Sequence, residues 1–233
     1  MKSLAILYFL IQTSVAYSAD LSTNETMFSN APSWLTAGRV DRVVGQVQRY
    51  LEWDIRKVRV NWYSDQQSFQ NFHGYDSSVL AVSRKSDNSI HIGPRVNQSN
   101  FDAVFGHELV HTILFQKFKD AIPNWLDEGL ANYVSKHGKI DYAWLASQPA
   151  RDVRTLAHPF QKDSASTANP RYHYQASTAL IELLASKCNL NDLLQLSMGQ
   201  KLEGYISTFC RIPDINSEFQ KWLKKKSTPL RNS

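Results

Sequence analysis

Residues 105 to 114, FGHELVHTIL, place two histidines four apart in a mostly apolar run, with a glutamate beside the first. On a helix, His107 and His111 project from the same face one turn apart, so both imidazoles can reach a single metal ion. Glu108 can reach a metal-bound water without being a ligand, which is the placement a water-activating base requires. A string of this form arises by chance in roughly one chain in a hundred of this length. Two histidines leave a metal under-coordinated, so a metal site here obliges the fold to bring a third ligand from another element.

IPNWLDEGLANYV, at 122–134, offers one. Pro123 can open a new helix and Glu128 falls on it, while FQKFKDAIPN supplies the turn that brings that helix back. His107, His111 and Glu128 then form two imidazoles and one carboxylate, with a fourth position open to water as in catalytic zinc sites. Metal-binding histidines usually donate their other N–H to an oxygen. Asn132, one turn beyond Glu128, and Asp127, beside it, are the candidates. His73, His91, His137 and His158 read as surface or packing residues.

Elsewhere, Val40, Val43, Val44, Val47 and Leu51 follow helical spacing, and KVRVNWY alternates as a strand with Val58, Val60 and Trp62 on one face. DQQSFQNFH reads as a short helix. SVLAVSRKSDNSIHIG reads as two strands about a polar turn at Asp87 and Asn88, ended by Gly93-Pro94. From Ser99 to Lys226 the pattern is helical, with Ser99 or Asn100 as a cap and Asp102 in the first turn. The fold class is therefore α+β: a small mixed β-sheet in about residues 35–98, the metal-site helix, and a mainly helical half over 99–226. The longest loop is expected at about 158–171.

The first residues combine Lys2, an apolar run from Leu4 to Val15 and small residues from Ala16 to Ala19, the pattern of a secretory signal cut after Ser18. Residues 19–233 then form a single domain, secreted or periplasmic, without a membrane span after cleavage. With 233 residues, 42% of them hydrophobic, the chain can bury a core without help from a metal. Its two cysteines, Cys188 and Cys210, can pair in an oxidising compartment. The +5 net charge and the basic run KWLKKK at 221–226 resemble no nucleic-acid module. Asn24-Glu25-Thr26 and Asn97-Gln98-Ser99 are glycosylation acceptors in a host that glycosylates secreted proteins.

HELVH followed by WLDEGLANY resembles the gluzincin metallopeptidases, especially the compact peptidase-MA-like members, over about residues 55 to 190. The resemblance implies zinc held by His107, His111 and Glu128, and Glu108 as general base. It extends to RYHYQASTALIELL, where similar proteins carry a Tyr shortly before small residues that open a helix. Ala176, Ala179, Leu180, Leu183 and Leu184 would form the buried face and leave Tyr174 to hydrogen-bond the developing oxyanion, with Tyr172 or His173 as substitutes. NSIHIG, at 88–93, resembles the family's edge strand above the zinc, which holds an extended peptide. The expected activity is hydrolysis of a peptide or protein substrate. The competing readings are a zinc amide hydrolase acting on cell-wall peptides and a non-catalytic, zinc-stabilised binding or scaffold protein.

Overall fold

The structure is a computed structural model that describes residues 20–156, 169–198 and 202–228. The expected signal segment, His158 and most of the expected long loop lie outside the described residues.

The fold is α+β, with a five-stranded mixed sheet in the order β1-β2-β3-β5-β4. Strand β3 (Val58–Trp62) buries Val58, Val60 and Trp62 and leaves Arg59 outside, the alternation of a strand packed on one face. Helix α1 (Ala37–Leu51) buries all five residues of its apolar stripe. Thr36 caps it by accepting from the Arg39 N–H, and Glu52, in the left-handed region at φ 50°, ends it. Helix α1 connects β2 (Thr26–Ser29) to β3, which pair in parallel. After the short helix α2 (Gln66–His73) come β4 (Ala81–Arg84) and β5 (Ser89–Ile92), an antiparallel hairpin that turns at Asn88, φ 55°.

Two expectations need correction. The sheet begins with β1 (Leu21–Ser22) and β2, not near residue 35. These strands are two and four residues long, too short for alternation to stand out, although Thr26 and Phe28 are fully buried. Nor is NSIHIG an edge strand. Parallel pairing with β3 places β5 inside the sheet with all four residues buried, and β4 is the edge instead. Either strand of a hairpin can lie outermost, and only its partner across the sheet decides which does.

Helix α3 (Phe101–Phe118) carries the two histidines and is buried on nearly every side. Asn100 precedes it without a side-chain capping bond. Asp102 instead accepts from Arg39 Nε at 2.6 Å and Arg42 at 2.7 Å, tying α3 to α1. Near its other end, Gln116 accepts from the Arg56 N–H at 2.8 Å and donates to Asn88 Oδ1 at 2.7 Å, which fixes α3 to the β4–β5 turn.

Helix α4 (Asn124–Ser135) returns across α3 after Pro123. The next helices are α5 (Tyr142–Ser147) and α6 (Pro170–Ala185). Helix α6 starts inside the segment read as a loop, because Asn169 caps it by accepting from the Arg171 N–H and Pro170 fits the first turn. Ala176, Ala179, Leu180, Leu183 and Leu184 are all fully buried. Helices α7 (Leu190–Ser197), α8 (Leu202–Thr208) and α9 (Ile215–Ser227) complete the described chain. Cys188, just after α6, forms a disulfide with Cys210, just after α8, with Cα atoms 4.9 Å apart. Among the described residues, no helix is long and apolar enough to cross a membrane.

Helices α4 and α6 meet at Gly129. A Cβ there would lie 2.5 Å from both the Ser177 carbonyl oxygen and Ile181 Cγ1. A methyl group cannot be accommodated without separating the helices, and such overpacking costs about 1–3 kcal/mol. Gly129→Ala is therefore expected to lose about that much stability in urea denaturation. Gly204→Ala on α8, where an added Cβ meets nothing within 4 Å, should match or slightly exceed wild type. Equal stability of the two variants would contradict this packing.

Candidate metal centre

Helical spacing brings His107 and His111 together on α3, and the return of α4 sets Glu128 against them. The two Nε2 atoms are 3.0 Å apart. Glu128 Oε1 is 3.4 Å from His111 Nε2, and its Oε2 is 3.9 Å from His107 Nε2. Ligand atoms held about 2 Å from one tetrahedral ion are about 3.3 Å apart, so these separations suit a zinc-sized cation. All three residues are buried, and one ligand atom from each lies within 4.8 Å of the others.

Asp127 accepts from His111 Nδ1 at 2.7 Å and so turns Nε2 toward the other two ligands. Burial opposes a positive charge on His111. Asp127 and Glu128 outweigh it and hold the imidazole pKa well above its ordinary value. Surroundings that favour a proton on this ring also favour a metal cation beside it. Asn132, the other candidate partner, is 4% exposed and lines the adjoining cleft, and its Oδ1 has no hydrogen-bond partner among the described residues.

The cleft has a volume of about 420 Å³. It is lined by His107 and Glu108, by the segment Ser78–Ala81 entering the edge strand, and by residues 137–140 and the start of α6. Burial raises the pKa of the Glu108 carboxyl above the usual carboxylate range. Protonated His111 opposes that shift, Glu128 adds to it, and hydrogen bonds from the Ser83 side chain and backbone lower it. Ser83 therefore holds this carboxylate from the edge strand.

Of the three candidates on α6, Tyr174 lines the cleft. Burial raises its phenol pKa, and the negative Glu128, Glu108 and Asp76 add to the effect, so it stays protonated at neutral pH. Tyr172 is buried beneath the Arg151 guanidinium, 5.5 Å from the ring centre, and His173 is 4% exposed. His91 fills a packing role on the opposite face of the sheet from the cleft. Its ring lies 2.9 Å from Ser89 Oγ and 3.1 Å from the Tyr63 hydroxyl, and stacks on Phe72.

His137 is not a surface residue. It lines the cleft with its ring 5.3 Å from that of His107, and burial lowers its pKa. Lys136, left-handed at φ 55°, ends α4 and turns the chain back so that His137 faces the site. A lysine at the helix end is a weak signal for that turn, and Gly138, at φ 77°, is the readable one. Ser83 was hidden, since its role depends on which strand is outermost.

No family model matches this chain, and no curated protein matches it significantly. The resemblance to gluzincins therefore rests on the sequence motifs alone.

A zinc ion bound here would displace the proton from His111, so apparent zinc affinity is expected to keep rising with pH beyond the ordinary imidazole value of 6.5. Asp127→Asn should weaken binding by roughly 10- to 100-fold and move the pH dependence downward, because His111 then protonates less readily. Competition titrations against a chromophoric chelator would measure both effects. An unchanged affinity and pH profile would contradict the assigned role of Asp127.

Proposed function

We propose that this chain is a zinc-dependent peptidase. The observation that carries the reading is Glu108. Neither metal ligation nor packing requires a carboxylate at that position, yet it is buried beside the donor set, faces the cleft and is held by Ser83. His107, His111 and Glu128 would hold the zinc ion, which when bound polarises a carbonyl group and lowers the pKa of water.

The rest of the reaction falls to side chains of this protein. Glu108 takes a proton from the attacking water and delivers it to the leaving amine, and its raised pKa makes it better matched to both tasks at neutral pH than an ordinary carboxylate. Tyr174 donates a hydrogen bond to the carbonyl oxygen as charge develops there. The outer edge of β4 offers main-chain groups to an extended peptide lying over the cleft. The Cys188–Cys210 disulfide supports an oxidising compartment, in keeping with the signal-like N-terminus, and we assign the activity to the secreted or periplasmic space.

Purified, zinc-loaded protein should digest a broad peptide library and stop on chelation. Glu108→Gln should retain stoichiometric zinc and lose about 10²- to 10⁴-fold in turnover. Tyr174→Phe should retain zinc and lose at least about tenfold. The wild-type rate should fall on the acid side as Glu108 is protonated. Undiminished hydrolysis by zinc-loaded Glu108→Gln would exclude Glu108 as the base. Zinc uptake by the wild type with no peptide cleaved would point to a binding or scaffold protein.

A further inference from the structure

Two cations line the cleft, Lys139 in the segment after α4 and Arg171 in the first turn of α6. Arg171 is held in place. Its guanidinium lies 4.0 Å from the centre of the Trp144 ring and donates to Asp141 Oδ2 at 3.0 Å. Asp141 is itself fixed, because its Oδ1 accepts from the Trp144 N–H at 3.0 Å. One contact to Asp141 leaves most of the five guanidinium N–H donors for other acceptors. Lys139 is exposed and forms no ion pair among the described residues.

Among the described residues lining the cleft, Glu108 is the one acidic side chain. Asp76 contributes negative charge from the β4 side, but it accepts from the Ser78 N–H at 2.7 Å and from the Ser78 hydroxyl. The remaining surface near the edge strand is apolar, from Val79, Leu80 and Ala81. The described lining thus combines apolar residues next to the edge strand, two cations and the metal-site residues.

Arg171 precedes Tyr174 by three residues, so the two side chains leave the same face of α6 about 4.5 Å apart along its axis. An extended peptide advances about 3.3 Å per residue. A group bound at Arg171 while Tyr174 meets the scissile carbonyl would therefore belong to a residue within one or two positions of the cut.

We propose that Lys139 and Arg171 form a carboxylate subsite, so that the preferred peptide carries an acidic group within one or two residues of the scissile bond. The group is either an Asp or Glu side chain or the C-terminal carboxylate of a short peptide. This proposal rests on the peptidase reading and deepens it by naming the substrate class.

The test uses the zinc-loaded full chain and peptides of one parent sequence, with Glu or Gln placed singly on each side of the cut. A second pair ends in a free acid or an amide at the same distance. A side-chain subsite predicts that one Glu peptide is cleaved with roughly fivefold or greater kcat/KM than its Gln counterpart; a terminal subsite predicts the same ratio for acid over amide. Lys139→Glu should abolish or reverse the preference and favour Lys at that position. Fluorescence anisotropy of the same labelled peptides on Glu108→Gln, read as Kd, should show the same ranking without turnover. Cleavage of all peptides with no charge preference, or a preference unchanged in Lys139→Glu, would overturn the subsite while leaving the peptidase reading intact. Failure to cleave any peptide would count against the peptidase reading, and the anisotropy ranking would still decide the subsite.

Discussion

Glu128, 1% exposed where α4 crosses α3, sets the terms for the rest of the molecule. A carboxylate so far from solvent costs several kcal/mol unless opposite charge or hydrogen bonds compensate it. The crossing supplies opposite charge, because His107 and His111 approach it from one turn of α3 and Asp127 braces His111 from behind. A set of buried ionisable groups of this kind is stable only if each faces its partners. The requirement constrains how α4 crosses α3, and the resulting donor set could hold a metal ion.

The surrounding elements hold that geometry and bring chemistry to it. Asp102 and Gln116 anchor the two ends of α3, one to α1 and the other to the β4–β5 turn, so the histidines rest on a scaffold tied at both ends. Gly129 lets α6 approach α4 closely enough for Tyr174 to face the cleft. From the other side, Ser83 on the edge strand grips Glu108. The groups assigned to metal binding, proton transfer and oxyanion stabilisation therefore come from α3, α4 and α6, and the sheet edge orients one of them.

Much of this was legible in the sequence because local spacing carries it. The stripe from Val40 to Leu51 and the alternation of Val58, Val60 and Trp62 follow from backbone periodicity alone. The convergence of His107, His111 and Glu128 needed only helix spacing and a turn at Pro123. What stayed hidden depends on tertiary pairing. Strands β1 and β2 are too short to show a period, and the identity of the edge strand rests on whether β4 or β5 pairs with β3. His137 and Lys139 reach the cleft because the chain turns back after α4 through left-handed Lys136 and Gly138, and a glycine two residues past a helix does not say what the turn will face.

On the proposed reading, one zinc ion sits between α3 and α4 with Glu108 beside it and outside its coordination. Anomalous diffraction at the zinc edge from crystals of metal-loaded protein would locate the ion. A single strong peak is expected within bonding distance of His107 Nε2, His111 Nε2 and the Glu128 carboxylate, with Glu108 facing the cleft and not bonded to the ion. A peak elsewhere, or one that recruits Glu108 as a ligand in place of Glu128, would contradict it.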